Sequence, residues 1–224
     1  MIQALIFDFD GTILETETPD YQAWQELYAS YGSELPLEIW TASIGAHNVF
    51  DPYAYLAEQS GRSIDRTAVR QQVKQRAFEL ACLEDPLPGV LDYIAEAKQL
   101  GLRLGVASSS NHAWVDVHLE RLNLTSQFEV VICRDDVGNR AKPDPAVYLA
   151  ACGALGCVPQ QAIALEDSLN GLTGAKRAGL YGVAIPNALT KHMDFSQADH
   201  QLTSLTDISL AELIAQLQSR NPGD

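Results

Sequence analysis

The chain has 224 residues, 46% of them hydrophobic, which is enough to bury the core of one large domain or of a domain with an insertion. Its formal net charge of -14 repels phosphate backbones and anionic lipid headgroups, so we expect neither nucleic acid nor a membrane as a partner. The cysteines show no C-x-x-C pair, no basic segment precedes an apolar one at the start, and no apolar run is long enough to span a bilayer. These features predict a cytoplasmic protein with reduced thiols.

Short apolar runs predict the strands of a buried sheet. The first covers residues 2–9, and similar runs recur at 102–107, 130–133, 162–165 and 181–185. Each carries few charges, as expected for parallel strands that are covered on both faces. Helical patterns lie between them: one opens at Val90 and stops at Gly101, and the others cover 112–122, 145–155 and 169–178. This alternation predicts an α/β fold with a doubly wound parallel sheet.

One long segment breaks the alternation of strands and helices. From about residue 18 to residue 83 the sequence shows helical patterns at 21–31, 39–59 and 65–83, and no convincing strand. A helical block between the first strand and the next strand–helix unit is typical of an inserted domain. We therefore predict an α/β core formed by residues 1–14 and 88–224, with an all-helical insertion at 15–87.

The first predicted strand ends in a pair of acidic residues, in the order Asp8-Phe9-Asp10-Gly11-Thr12. Residues two apart in an extended chain point to the same side, so the carboxylates of Asp8 and Asp10 are expected to face one site. One carboxylate could attack phosphorus while the other protonates the leaving oxygen. Gly11 would let the backbone turn close to a phosphate. The alternative is an acidic pair that caps a turn.

Three further polar motifs follow later strands. The serines of 108–111 offer hydroxyl and N–H groups to a phosphate, or they cap the next helix. Lys142 lies just before a helix, where its ammonium could contact both a nucleophile and a phosphoryl group, or it is an ordinary surface lysine. Glu166 and Asp167 follow a buried strand, where carboxylates are costly unless a cation pairs with them. Either could join Asp8 in holding magnesium, or serve as a helix cap.

Taken in order, the four motifs and the helical insertion resemble the haloacid dehalogenase superfamily, in its phosphoglycolate phosphatase and β-phosphoglucomutase branch. The resemblance covers nearly the whole chain. It implies a Rossmann-like core with a helical cap, and magnesium-dependent hydrolysis of a phosphate monoester through an aspartyl-phosphate. It also implies a role for each motif residue. In the implied chemistry, Asp8 is the nucleophile and a metal ligand, Asp10 is the general acid/base whose backbone carbonyl reaches the metal, and Lys142 is a catalytic and phosphate-binding lysine. Ser108 is the phosphate-binding hydroxyl, with Gly11, Thr12 and Ser109 as further phosphate contacts, and Glu166 and Asp167 are the metal-holding pair.

A phosphosugar mutase is the nearest alternative function. A mutase must hold a second phosphate, for which Arg or Lys is the natural group, and mutases of the branch carry basic residues at the turn that matches 43–48. Here that turn has neither, although His47 could contact a substrate, and Glu15 and Glu17 make the predicted cap entrance acidic. The sequence thus favours hydrolysis of a small phosphorylated metabolite by a monomer or small homo-oligomer. A catalytically idle binding protein on the same fold is opposed by the complete set of motif residues.

Overall fold

The computed structural model describes residues 1–43 and 50–220. The chain divides into two compact units. The first unit comprises Met1–Leu14 and Asp85–Asp224, and the second comprises Glu15–Glu84. The division after the insertion therefore falls between Glu84 and Asp85, whereas the sequence placed it between Leu87 and Pro88.

Within the described residues, the first unit contains a six-stranded parallel sheet. In chain order the strands are β1 (Ala4–Phe7), β2 (Arg103–Ala107), β3 (Val130–Ile132), β4 (Ala162–Glu166), β5 (Tyr181–Ala184) and β6 (His200–Gln201). Their order across the sheet is β3-β2-β1-β4-β5-β6, so β1 pairs with β2 on one side and with β4 on the other. The predicted doubly wound sheet is confirmed, and β6 is a strand that the sequence did not predict.

The α-helices of the described residues belong to both units. In chain order they are α1 (Glu17–Ser30), α2 (Leu37–Ser43), α3 (Pro52–Ser60), α4 (Arg66–Ala81), α5 (Val90–Gln99), α6 (His112–Arg121), α7 (Ala146–Ala154), α8 (Leu169–Ala178) and α9 (Leu210–Arg220). Where the structure describes the chain, none of these helices has both the length and the apolar character needed to cross a membrane.

Alternating residues of β1 belong to two separate apolar clusters of the first unit. Leu5 and Phe7 pack with residues of α5, α6 and α9, whereas Ala4 and Ile6 pack with residues of α7 and α8. Successive side chains of a strand point to opposite faces, so helices cover both faces of the sheet. All four side chains are fully buried, which fixes the position of the chain where β1 ends and the acidic pair begins.

The second unit contains α1 to α4 around an aromatic core. Trp24 contacts Tyr53 edge to face, with ring centroids 5.2 Å apart, and both belong to one apolar cluster with residues of all four helices. The sequence prediction of one helix over 39–59 is wrong. The side chain of Asp51 accepts hydrogen bonds from two backbone N–H groups and Pro52 follows it, so a new helix begins there. Residues 44–49 lie outside the described residues, and with them His47 and most of the turn predicted at 43–48.

Candidate active site

The predicted site residues lie where the central strands of the sheet end. The N–H of Asp8 donates to the carbonyl of Leu165 at 3.0 Å, and the N–H of Ser108 donates to the carbonyl of Ile132 at 2.9 Å. The sheet pairing thus continues past β1 and β2 and fixes both residues. Glu166 is the last residue of β4, the other neighbour of β1. The carboxyl ends of adjacent parallel strands form one edge, where ligands bind in open α/β sheets.

Lys142 lies between two carboxylates in the interior of this edge. Its Nζ donates to Oδ1 of Asp8 and, at 2.6 Å, to Oε1 of Glu166, and all three side chains are buried. Burial alone would lower the pKa of Lys142, but the attraction of Asp8 and Glu166 outweighs it and raises the pKa above its usual value. Lys142 is therefore an ammonium at neutral pH, held against the predicted nucleophile.

Glu166 is held by several donors besides Lys142. The hydroxyl of Tyr148, in α7, donates to the same carboxylate oxygen, and Oγ of Ser168 donates to the other at 3.3 Å. The Tyr148 ring also lies under the ammonium, with its centroid 4.9 Å from Nζ of Lys142. A Cβ atom at Gly171 would overlap the Glu166 carboxylate, so only glycine fits there. These contacts give Glu166 the geometry of an anchor for Lys142.

Three carboxylates could share one metal ion. Oxygens of Asp8, Glu166 and Asp167 all lie within 4.8 Å of one another, and all three residues are buried. When these groups are ionised, the ion pairs that the described residues show within the cluster join one ammonium, that of Lys142, to Asp8 and Glu166, so three carboxylates face one lysine. Burial and the neighbouring Glu166 carboxylate raise the pKa of Asp8, and the attraction of Lys142 offsets only part of this increase. Hard oxygen ligands and a charge deficit of this size fit a magnesium ion.

Asp167 is positioned by its contacts with Gly11 and Asn187. Its Oδ2 accepts a hydrogen bond from Nδ2 of Asn187 at 2.8 Å. Gly11 has a φ of +78°, and a Cβ atom there would lie 2.6 Å from Cγ of Asp167. The approach of the Gly11 backbone to a phosphate stays a prediction, and the structure shows the backbone close to this carboxylate.

The hydroxyl groups of the site have different environments. The Ser109 hydroxyl accepts a hydrogen bond from the backbone N–H of Lys142 at 3.1 Å, which joins the serine motif at 108–111 to the lysine motif. Oγ of Ser108 accepts from the N–H of Ser110 at 2.9 Å. The buried hydroxyl of Thr12 has no hydrogen-bond partner among the described residues. A buried hydroxyl is costly to leave unpaired, and a bound phosphate oxygen would satisfy it.

Asp10 is held through both of its carboxylate oxygens. Nε1 of Trp114 donates to Oδ1 at 2.8 Å, and Oγ of Ser110 donates to Oδ2 at 2.6 Å. The sequence did not single out Trp114, Tyr148 or Asn187 for the site. Ser110 lay inside a predicted motif but was assigned no role of its own.

The comparisons agree with this geometry. Residues 5–185 match the family model for the haloacid dehalogenase-like hydrolases. The chain is 43% identical to the "Putative phosphatase YhcW" of Bacillus subtilis, over 99% of this chain and all of that protein. It is 31% identical to hexitol phosphatase B of Escherichia coli, over 95% of this chain and 97% of that enzyme. A crystal structure of CbbY from Rhodobacter sphaeroides in complex with xylulose-(1,5)bisphosphate is similar at a TM-score of 0.73 and 32% identity, with 95% of this chain and 99% of that one covered.

The chain belongs to the haloacid dehalogenase-like hydrolase family. The resemblance identified from the four motifs is therefore confirmed. The prediction that the protein is an enzyme, a phosphoric monoester hydrolase of this type, is confirmed by the same relatives.

Proposed function

We propose that this enzyme is a magnesium-dependent phosphatase that hydrolyses a small phosphate monoester through an aspartyl-phosphate on Asp8. The observation that carries the proposal is the buried contact of the Lys142 ammonium with Asp8 and Glu166, beside the carboxylate of Asp167. A nucleophilic carboxylate, a fixed cation and a charge deficit suited to a divalent ion are the components that phosphoryl transfer requires.

Each residue has a distinct step in the proposed reaction. Asp8 attacks phosphorus as the bond to the leaving oxygen breaks, and Lys142 offsets the negative charge of the phosphoryl oxygens. Asp10 donates a proton to the departing alcohol and then accepts one from the water that hydrolyses the aspartyl-phosphate. The hydroxyls of Thr12 and Ser108 bind the phosphate oxygens. Phosphate and alcohol leave, and Asp8 is regenerated.

Asp8 and Asp167 are the carboxylates best placed to hold magnesium. The resemblance to the family implies the backbone carbonyl of Asp10 as a further ligand. When bound, the ion would neutralise and orient the phosphoryl oxygens. The sequence also named Glu166 as a ligand. Its donors Lys142, Tyr148 and Ser168 support a different role, in which Glu166 fixes the position of Lys142.

The substrate class that we propose is a phosphorylated carbohydrate. Two relatives support it. Hexitol phosphatase B is named for a phosphorylated polyol, and the CbbY structure contains a sugar bisphosphate. We further propose that the predicted insertion, residues 15–87, acts as the cap that excludes bulk water and selects this substrate. The proposal favours hydrolysis over the mutase reaction, because relatives along nearly the whole chain are named as phosphatases.

A screen of phosphorylated sugars and polyols for release of inorganic phosphate, with and without Mg²⁺, tests this function. Asp8→Asn should abolish release, whereas Asp92→Asn, an exposed aspartate in α5, should leave it unchanged. Activity that survives Asp8→Asn, or that is unaffected by removal of Mg²⁺ with a chelator, would contradict the proposal. An assay for interconversion of hexose phosphates separates the mutase, which would show isomer formation without release of phosphate.

A further inference from the structure

We propose that Trp114 is a positioning residue for Asp10, and this inference rests on the proposed function. The indole N–H donates to Oδ1 of Asp10 at 2.8 Å while the Ser110 hydroxyl donates to Oδ2 at 2.6 Å. Ser110 lies in the loop after β2, and Trp114 lies four residues later in the first turn of α6. One donor on each oxygen fixes the plane of the carboxyl group as well as its place.

The indole is itself held in place by the helix that carries it. Asn111 caps α6 by accepting a hydrogen bond from the backbone N–H of Trp114 at 3.2 Å. One turn further on, the His118 ring packs against the indole, with centroids 4.5 Å apart and planes at 68°. His118 is fully buried, and burial lowers its pKa to about 4, so a neutral ring supports the indole at pH 7. Rotating the indole away from Asp10 would open a void beside His118.

The orientation of Asp10 matters because a general acid must reach the leaving oxygen along one direction. Asp10 follows the end of β1, and the hydrogen bonds from Trp114 and Ser110 restrict the two side-chain torsions that set the direction of its carboxyl group. Small errors in the placement of a proton donor cost much of its contribution to the rate. Trp114 therefore supports the chemistry without touching the substrate, since its N–H is directed at the acid.

The leaving group provides a specific test. An alkyl alkoxide is a poor leaving group and depends on proton donation, whereas a nitrophenolate leaves without it. Substitutions that disturb Asp10 should therefore lower kcat/KM for an alkyl phosphate and spare kcat/KM for p-nitrophenyl phosphate. A loss of general folding or packing would lower both to a similar extent.

The experiment compares Trp114→Phe with the native enzyme on both substrates in Mg²⁺. Phenylalanine keeps an aromatic ring for His118 to pack against and removes the N–H. We expect kcat/KM for the alkyl phosphate to fall on the order of 10-fold, because one of the two hydrogen bonds that orient the acid is lost. We expect kcat/KM for p-nitrophenyl phosphate to stay within about twofold. Val117→Ala, at an exposed position on the same helix, is the matched control and should change neither value.

Combining the change with Asp10→Asn completes the test. In the Asp10→Asn background Trp114→Phe should have no further effect on either substrate, since the positioned acid is already absent. Should Trp114→Phe fold poorly, Ser110→Ala removes the other donor without altering the packing and should give the same selective loss. An equal fall for both substrates, no fall for the alkyl phosphate, or an undiminished effect in Asp10→Asn would overturn the inference. Failure of the proposed function would instead appear as activity that survives Asp8→Asn.

Discussion

Replacing Gly11 by alanine would separate backbone strain from damage to the metal site. The φ of +78° at Gly11 costs an alanine about 1–2 kcal/mol, which is partly offset by the lower entropy of the unfolded chain. The added Cβ would also lie 2.6 Å from Cγ of Asp167. The carboxylate must then move away from Asn187, and the lost hydrogen bond is worth roughly 1.5–3 kcal/mol. We expect Gly11→Ala to lower the free energy of unfolding by about 2–4 kcal/mol.

Gly101 provides the matched control for this change. Its φ is +71°, and apart from its chain neighbours no atom of the described residues lies within 4 Å of the position where a Cβ would be. Gly101→Ala therefore has the strain without the overlap. Urea unfolding with and without Mg²⁺ measures both effects, because an ion that binds only the folded state stabilises it. Gly101→Ala should lower the free energy of unfolding by about 1 kcal/mol and should still be stabilised by Mg²⁺ as much as the native protein is. Gly11→Ala should no longer be stabilised by Mg²⁺. Equal increments in the two variants would refute the placement of the ion at Asp167.

Three further changes probe the surroundings of the site. Tyr148→Phe removes a donor to Glu166 and should lower both kcat and the free energy of unfolding, the latter by roughly 1.5–3 kcal/mol in urea titrations; unchanged values would show that this hydrogen bond is unimportant. Gly171→Ala should destabilise the protein because its Cβ would overlap Glu166, whereas Gly153→Ala, in α7 with open space around it, should stabilise it by up to about 1 kcal/mol. Burial lowers the pKa of His118 from 6.5 to about 4, so the unfolded chain binds a proton on this ring more readily than the folded protein does. The free energy of unfolding is therefore unaffected by this group above pH 6.5 and falls by roughly 3 kcal/mol as the pH is lowered towards 4. His118→Phe should therefore show a shallower loss of stability across that range, and an unaltered slope would contradict the assignment.

The sheet and its motifs could be predicted because the relevant signals are local. Apolar runs mark the strands, and polar residues such as Asp8 and Ser108 lie at or just after the ends of these runs. The rule that parallel strands bring their carboxyl ends to one edge then supplies the expected site. β6 was missed because two residues are too few to show a periodicity. The division between α2 and α3 was missed although Asp51 followed by Pro52 is a recognisable helix start.

The residues that support the site could not be found in this way. Trp114 and Tyr148 lie on helices, where spacing indicates which side of a helix is apolar but not which side chain reaches a carboxylate on another element. Asn187 follows the end of β5, which placed it near the edge, yet only the folded chain shows that it contacts Asp167. The charges were predictable from their positions after strands, whereas the hydrogen bonds that orient them depend on tertiary contacts.

The most direct measurement of the central claim is detection of a phosphoryl group on Asp8 itself. The enzyme would be mixed with Mg²⁺ and an intact phosphate ester that it hydrolyses. The reaction would be quenched in acid during turnover, and the protein digested and analysed by mass spectrometry. The account predicts that the peptide containing Asp8 carries one phosphoryl group in the native protein and none in Asp8→Asn. Release of phosphate from a protein whose Asp8 stays unmodified under these conditions, or a phosphoryl group on a different residue, would contradict it.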